Sequence, residues 1–362
     1  MRTNDSPKLL FLINAGLGDV CHAIPLLFAL RKKWPRMQIE LLFASASARN
    51  LVQLFFPDIT GVVVNHLNSL YKKVCQIIKW RKNRFDYVLS GAHFNSSKTA
   101  MVAWLVRPKK SVGMKNEKFS FLYDVSLEKR KERKHADYSI LVESLGVDAA
   151  DIEYGRKHFR QELSKISSKP SNIIDGRGIA KIIAFANGAD TIRRRNWKPS
   201  IKRIPASLIW DIFTKIKQQI DAKIILLGID EDTFHEKMKT ESSVIDLRGK
   251  TDILRLIAIL HQTDVLICND TGTMHLAHFC GTPYVALFGP TNPEHFAPDG
   301  VQANIVQAYG PCAPCQPEPS CHSDHCRLMS KLEADKVSCL VKEILNRKAI
   351  VSTGILPIKT II

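Results

Sequence analysis

A chain of 362 residues with 45% hydrophobic content is long enough to build two cored domains, and no apolar run reaches the ~18–20 residues that would span a bilayer. Its net charge of +17 is lopsided: 29 Lys and Arg stand against 16 Asp and Glu up to Asp175, and 23 against 19 after it. A basic chain raises nucleic acid as a partner, but no nucleic-acid module signature is present. The excess reads instead as an attraction for an anionic membrane or glycolipid, or as a plain solvated surface.

In chain order, Leu9–Ile13 has the pattern of a buried strand, and Asn14-Ala-Gly-Leu-Gly-Asp19 is a glycine-rich turn with one carboxylate. Val20–Trp34 has helical spacing at Ile24, Leu27, Phe28 and Leu30 and ends at Pro35. Pro25 is expected in its first turn, where proline is tolerated. Asp19 then lies at a helix N-terminus on a strand's carboxyl edge. There it is either a first-turn acid complementing the helix dipole or a general base. His22 lines the same opening as Gly18, or is a first-turn histidine with no chemical role. Strands are expected at Ile39–Phe43, Gly61–Val64 and Tyr87–Ser90, with helices such as Ala48–Phe55 and Leu70–Arg81 between them. Ser164–Gly178, rich in Ser, Pro and Gly, reads as a linker.

The alternation then restarts. A strand at Lys181–Ala186 leads into the turn Asn187-Gly188 and the basic run Arg193-Arg194-Arg195. A helix over Ser207–Gln219, a strand over Lys223–Leu227 and helices over Thr233–Lys239 and Ile253–Gln262 follow. Arg195 is either a guanidinium for a diphosphate or part of a solvated loop. Glu231, flanked by Asp230 and Asp232, is either a carboxylate for ribose hydroxyls or an exposed acidic turn. The apolar run Asp264–Cys268 ends at Asn269-Asp270-Thr271-Gly272. A helix-like segment carrying His275 leads to a second run, Tyr284–Phe288, which stops at Gly289-Pro290-Thr291. A helix starting after Thr271-Gly272 offers unpaired N–H groups and a positive dipole end to a diphosphate. The bland alternative is an ordinary strand-to-helix turn capped by Asp270 or Thr271.

Cys312-(x)2-Cys315-(x)5-Cys321-(x)4-Cys326 places four thiols within fifteen residues. They suit a closed tetrahedral iron or zinc site of structural kind, or are free thiols, or pair as disulfides in air. Nine cysteines with several in apolar runs, and a polar start too short of apolar residues for a signal segment, lead us to expect a cytoplasmic protein.

Gly18-Asp19 with Pro25 and Leu30-Arg31-(x)3-Pro35 resembles the opening of glycosyltransferase family 9, the ADP-heptose:lipopolysaccharide heptosyltransferases. Asp270-Thr271-Gly272-(x)2-His275-(x)-Ala277 with Phe288-Gly289-Pro290-Thr291 is similar to that family's donor-site signature. Asn187-Gly188 with Arg193–Trp197 resembles its strand, small-residue turn and basic-x-Trp-Pro element. The resemblance runs from about Leu9 to Lys342. It implies an α/β chain of GT-B architecture, with two Rossmann-like parallel-sheet domains facing a cleft. Residues 1–170 would bind the acceptor and residues 178–330 the nucleotide-sugar donor, with a C-terminal helix at 335–348 packing back on the first domain. It implies an inverting transferase moving heptose from an ADP donor to an anionic glycolipid of the lipopolysaccharide core, in peripheral contact with the inner membrane surface. Asp19 would be the base, with Gly18 and His22 on the acceptor side. The donor would meet Asn187, Gly188, Arg195, Glu231, Asp270, Thr271, Gly272 and His275. No cofactor is expected for the chemistry. Some relatives that glycosylate proteins hold iron in a similar cysteine-rich loop. The alternatives are a protein O-heptosyltransferase, a nucleotide-sugar 2-epimerase on the same fold, and an idle nucleotide-sugar-binding protein.

Overall fold

The computed structural model describes residues 6–90, 96–115, 119–128, 138–167, 181–188, 199–298, 304–310, 313 and 327–352. The chain divides into two compact units, Met1–Lys165 and Ile166–Ile362, each with a wholly parallel six-stranded sheet.

The first unit contains strands β1 (Lys8–Ala15), β2 (Gln38–Phe43), β3 (Thr60–Val63), β4 (Tyr87–Ser90), β5 (Lys110–Met114) and β6 (Val125–Leu127). Its helices are α1 (Leu17–Lys33), α2 (Ala46–Phe55), α3 (Leu70–Asn83), α4 (Ser96–Val106), α5 (Ser139–Glu143) and α6 (Ala149–Ser167). The strand order β3-β2-β1-β4-β5-β6 reverses direction between β1 and β4. Leu9, Leu10, Phe11 and Leu12 are all fully buried, as expected of a central strand covered by helices on two faces. On one face Leu10, Leu12 and Val88 meet Trp80 of α3 and Ala100, Ala103 and Val106 of α4. The indole N–H of Trp80 donates to Glu40 at 2.6 Å, so its burial leaves no polar group stranded.

Helix α1 starts at Leu17, three residues earlier than the spacing suggests, which draws Gly18 and Asp19 into its first turn. Pro25 therefore sits well inside the helix rather than in that turn. The helix of neighbouring α6 accommodates it closely, because Gly155 packs against the Pro25 carbonyl where a Cβ would collide.

The second unit contains β7 (Lys181–Ala186), β8 (Ala222–Leu227), β9 (Val244–Asp246), β10 (Val265–Asn269), β11 (Tyr284–Phe288) and β12 (Ile305–Gln307). Its helices are α7 (Ala206–Lys217), α8 (Ile253–Gln262), α9 (Gly272–Cys280), α10 (Pro293–Phe296) and α11 (Ala334–Ser352). The order β12-β11-β10-β7-β8-β9 repeats the first sheet's pattern, with its reversal between β7 and β10. The segment expected as a helix over Thr233–Lys239 is a short 3-10 turn, Glu236–Thr240, because its apolar residues are too few to cover the sheet. Helix α11 packs into the core of its own, second unit. Val337, Val341, Ile344 and Leu345, one helical stripe, lie in the second unit's core with Ile209, Ile212 and Ile216 of α7 and Val285 and Leu287 of β11. Each side chain so buried contributes about 1.5–3 kcal/mol, which decides where the helix docks. No helix among the described residues is long and apolar enough to cross a membrane.

Candidate active site

Strand register sets the second unit's site. Cys268 pairs with Ala186, Ala186 with Leu227, and Asn269 with Leu287, so β7, β8, β10 and β11 all finish level at one edge. The turns Asn187-Gly188, Gly228–Asp232, Asp270-Thr271 and Gly289–Thr291 leave from that edge. In an open parallel sheet, ligands bind beside such turns, where the strand order reverses.

Asp270 is buried, and its Oδ2 lies 2.6 Å from the Lys202 ammonium. Burial pushes the carboxyl up, but the Lys202 charge and hydrogen bond, with His275 adding to them, outweigh it and hold the group below the ordinary value. Thr271 is the N-cap of α9, and its side chain makes no cap hydrogen bond. The helix thus opens at Gly272 with first-turn N–H groups that no capping side chain answers. His275 lies one turn into α9, partly exposed. Gly188 sits opposite: a Cβ there would come 3.1 Å from the Thr271 hydroxyl and 3.5 Å from Asp232. Gly289, by contrast, owes its missing side chain to packing, since a Cβ would run into Met329.

The Asn187 side chain is turned into the protein. Its amide donates to the carbonyls of Ile204 (2.9 Å) and Thr233 (3.0 Å), and its Oδ1 accepts from Ile204 N at 2.7 Å. With those groups occupied, this side chain brackets the two loops rather than presenting itself at the edge. Asn269 does the same one strand over, donating to the carbonyls of Gly188 (2.7 Å) and Lys202 (2.9 Å). Glu231 is exposed on a loop pinned by its neighbour. Asp232 is buried, accepts from Ile229 N at 3.0 Å and meets Arg203 at 3.1 Å, while Arg248 donates to its carbonyl. Burial raises the Asp232 carboxyl despite these contacts. Gly228 takes φ of +137°, a conformation that favours glycine, to start this loop.

In the first unit, the reversal lies between β1 and β4, and β1 ends in Gly16-Leu17-Gly18-Asp19. Asp19, partly buried, is the third residue of α1, and its carboxylate accepts from Gly16 N at 3.3 Å. A Cβ on Gly16 would meet nothing within 4 Å, so there is open space beside the carboxylate's backbone partner. Tyr138 is buried edge-on to Phe11 (6.1 Å), and burial, with the Asp19 charge adding to it, raises its phenol well above the usual value. A phenol that stays neutral near Asp19 follows. Gly18 and His22 share the start of α1, His22 three residues on and therefore on the face of Asp19.

Arg195 and Cys312, Cys315, Cys321 and Cys326 lie outside the described residues. Among the described residues there is no group of three or more His, Cys, Asp or Glu side chains set to hold a metal. Sequence reasoning did not single out Lys202, Asn269 or Tyr138. For Lys202 a signal exists: Lys202-Arg203-Ile204-Pro205 opens α7 with a basic-x-apolar-Pro pattern, isoleucine standing where the expected element has tryptophan. Tyr138 carries no local signal, because its neighbour Asp19 is distant in sequence.

Two doubly wound Rossmann-like units of this order, each with its reactive turns at the sheet reversal, define an α/β chain of the GT-B class. The model of Glycosyltransferase family 9 (heptosyltransferase) matches residues 77–324, and the chain belongs to this family of glycosyltransferases. It is 23% identical over 329 residues to lipooligosaccharide heptosyltransferase 2 of Haemophilus ducreyi, covering 83% of this chain and 88% of that protein. To the protein of the same name in Campylobacter jejuni it is 25% identical over 346 residues, covering 94% and 98%. Among solved structures, the family 9 glycosyltransferase of Veillonella parvula superposes with a TM-score of 0.67 at 21% identity, covering 96% of this chain and 99% of that one. The E. coli heptosyltransferase WaaC with ADP does so at 0.61 and 16%, covering 96% and 100%. The iron-containing dodecameric glycosyltransferase TibC of enterotoxigenic E. coli matches at 0.55 and 14%, covering 99% and 82%.

Proposed function

We propose that this glycosyltransferase moves a heptose from an ADP-activated donor to a sugar of the lipopolysaccharide core, with inversion at the anomeric carbon. The observation that carries the reading is the Lys202–Asp270 pair beside the uncapped start of α9, at the reversal of the second sheet. An ammonium and a helix N-terminus at one edge suit the charge that develops on a departing diphosphate, so the chemistry needs no divalent cation. Asp270 keeps Lys202 in position. Thr271, Gly272 and His275 complete the diphosphate cradle, Gly188 permits close approach, and Glu231 takes the ribose hydroxyls. Arg195 contributes a further cation.

In the first unit Asp19 removes the proton of the acceptor hydroxyl as that oxygen attacks the anomeric carbon and ADP leaves from the opposite side. Gly16 N donates to the carboxylate at 3.3 Å and so helps to fix its orientation at the start of α1. Gly18 and His22 border the acceptor. The acceptor is an anionic glycolipid, reached by peripheral contact of a cytoplasmic protein with the inner membrane surface, as the basic excess of the first half favours. Four thiolates from Cys312, Cys315, Cys321 and Cys326 suit a closed structural iron or zinc site that takes no part in the reaction.

The test is a donor panel of ADP-heptose, ADP-mannose, UDP-sugars and GDP-sugars, scored by nucleotide release with deacylated lipopolysaccharide as acceptor. Release confined to ADP-heptose is expected. An epimerised sugar formed from donor alone would replace the transferase reading with a 2-epimerase.

A further inference from the structure

Apart from Tyr154 on α6, the large exposed apolar side chains among the described residues of the first unit gather on one side of its sheet. Helix α3 turns Ile77 and Trp80 to the core, while Leu70, Val74 and Ile78, one turn apart, form a stripe in solvent with Tyr71 beside it. Leu70 and Tyr71 are each 78% exposed. A surface helix ordinarily carries polar groups there. The adjacent α4 shows Met101 and Trp104 to solvent, and Phe121, 77% exposed, stands on the turn Ser120–Leu122 packed against α4. Three neighbouring segments thus share one apolar patch, which is different from singly scattered residues.

Charge selects the occupant. Helix α3 has no acidic residue and carries Lys72, Lys73, Lys79, Arg81 and Lys82, all exposed, around its apolar stripe. Helix α4 likewise has no acid, bears exposed Lys98 and is followed by exposed Arg107. In a two-fold contact with a second copy, these cations would oppose one another. An anionic lipid surface satisfies the two features together. Apolar side chains enter the acyl boundary, ammonium groups reach the headgroup phosphates, and Trp104 and Tyr71 sit at the level between.

We infer that α3, α4 and the Phe121 turn form the face by which the first unit docks on an anionic membrane surface. The inference deepens the membrane contact in the proposed function and rests on that reading. Flotation with vesicles of phosphatidylcholine, alone or mixed with phosphatidylglycerol and free of any sugar, tests it. The full chain is expected to float with the mixed vesicles only, and to be released by salt. Two variants, Leu70→Ser/Val74→Ser/Ile78→Ser and Lys72→Glu/Lys79→Glu/Lys82→Glu, should each lower partitioning by on the order of 10-fold or more. Transfer to a deacylated, soluble acceptor should stay unchanged in each. A chain that ignores anionic vesicles, or variants that float like the parent, overturns the docking face. So does a dimer in sedimentation that the serine variant breaks, which would give the patch to a second copy. Vesicle binding that survives while no donor supports transfer would uphold the face and reject the transferase reading.

Discussion

The Lys202 ammonium lies 2.6 Å from the Asp270 carboxylate across 68 positions of sequence, with little of either side chain exposed. The pair ties the segment ahead of α7 to the end of β10, and Asn269 reinforces it by donating to the Lys202 carbonyl. A cation is thereby held where α9 begins, although the tripled arginine is the louder signal in the sequence.

Lys202→Met should weaken ADP binding by about 1.5–3 kcal/mol, the worth of a charged hydrogen bond. Calorimetric titration of ADP into Lys202→Met and Arg195→Ala compares the two cations. Unchanged affinity in the lysine variant, with the loss falling on Arg195→Ala, would return the role to the arginine run.

The same pair sets an acid limit on stability. Asp270 is depressed in the folded chain, so its contribution is fully present above the ordinary carboxylate value of about 4 and is lost as pH falls through the depressed one. In Lys202→Met burial dominates instead and raises the carboxyl. The acid limb of the denaturation profile should then move to higher pH, and neutral stability should fall by about 3–5 kcal/mol. Superimposable profiles for parent and variant would mean that the ion pair contributes nothing.

Asp19→Asn should lower transfer by ~10²–10⁴-fold, the usual worth of a general base, and leave ADP affinity nearly intact. The amide keeps an oxygen to accept from Gly16 N, so α1 should be undisturbed. Turnover near that of the parent would remove Asp19 from the mechanism.

Gly155→Ala should destabilise the first unit by about 1–3 kcal/mol, because its Cβ would strike the Pro25 carbonyl and force α6 off α1. Thermal unfolding reads this directly, and an unshifted Tm would show that α6 has room to move.

Protein prepared under reducing conditions should carry close to one iron or zinc per chain on Cys312, Cys315, Cys321 and Cys326. Chelation should lower Tm before it lowers transfer, since a site closed by four thiolates takes no substrate. Elemental analysis without metal, with four freely titrating thiols, would leave the segment a proline-rich loop.

What the sequence determined by itself is the alternation of elements and the local turns. The apolar runs at Leu9–Ile13, Lys181–Ala186 and Tyr284–Phe288 are unbroken because central parallel strands are buried on two faces, and that pattern is visible without neighbours. Asp19, Asp270, Thr271 and Gly272 were legible for the same reason: each lies where a strand hands over to a helix, among contiguous residues. The short strands β5, β6, β9 and β12 were not, since three to five residues with a half-buried face carry too little periodicity. Only the tertiary structure decided the partners. It put Lys202 on Asp270, Tyr138 near Asp19 and α11 in the second core, and it turned Asn187 inward to bracket Ile204 and Thr233. Each depends on distance through space between residues far apart in the chain, where the free energy of burying a charge or an apolar stripe selects a partner that local spacing does not specify.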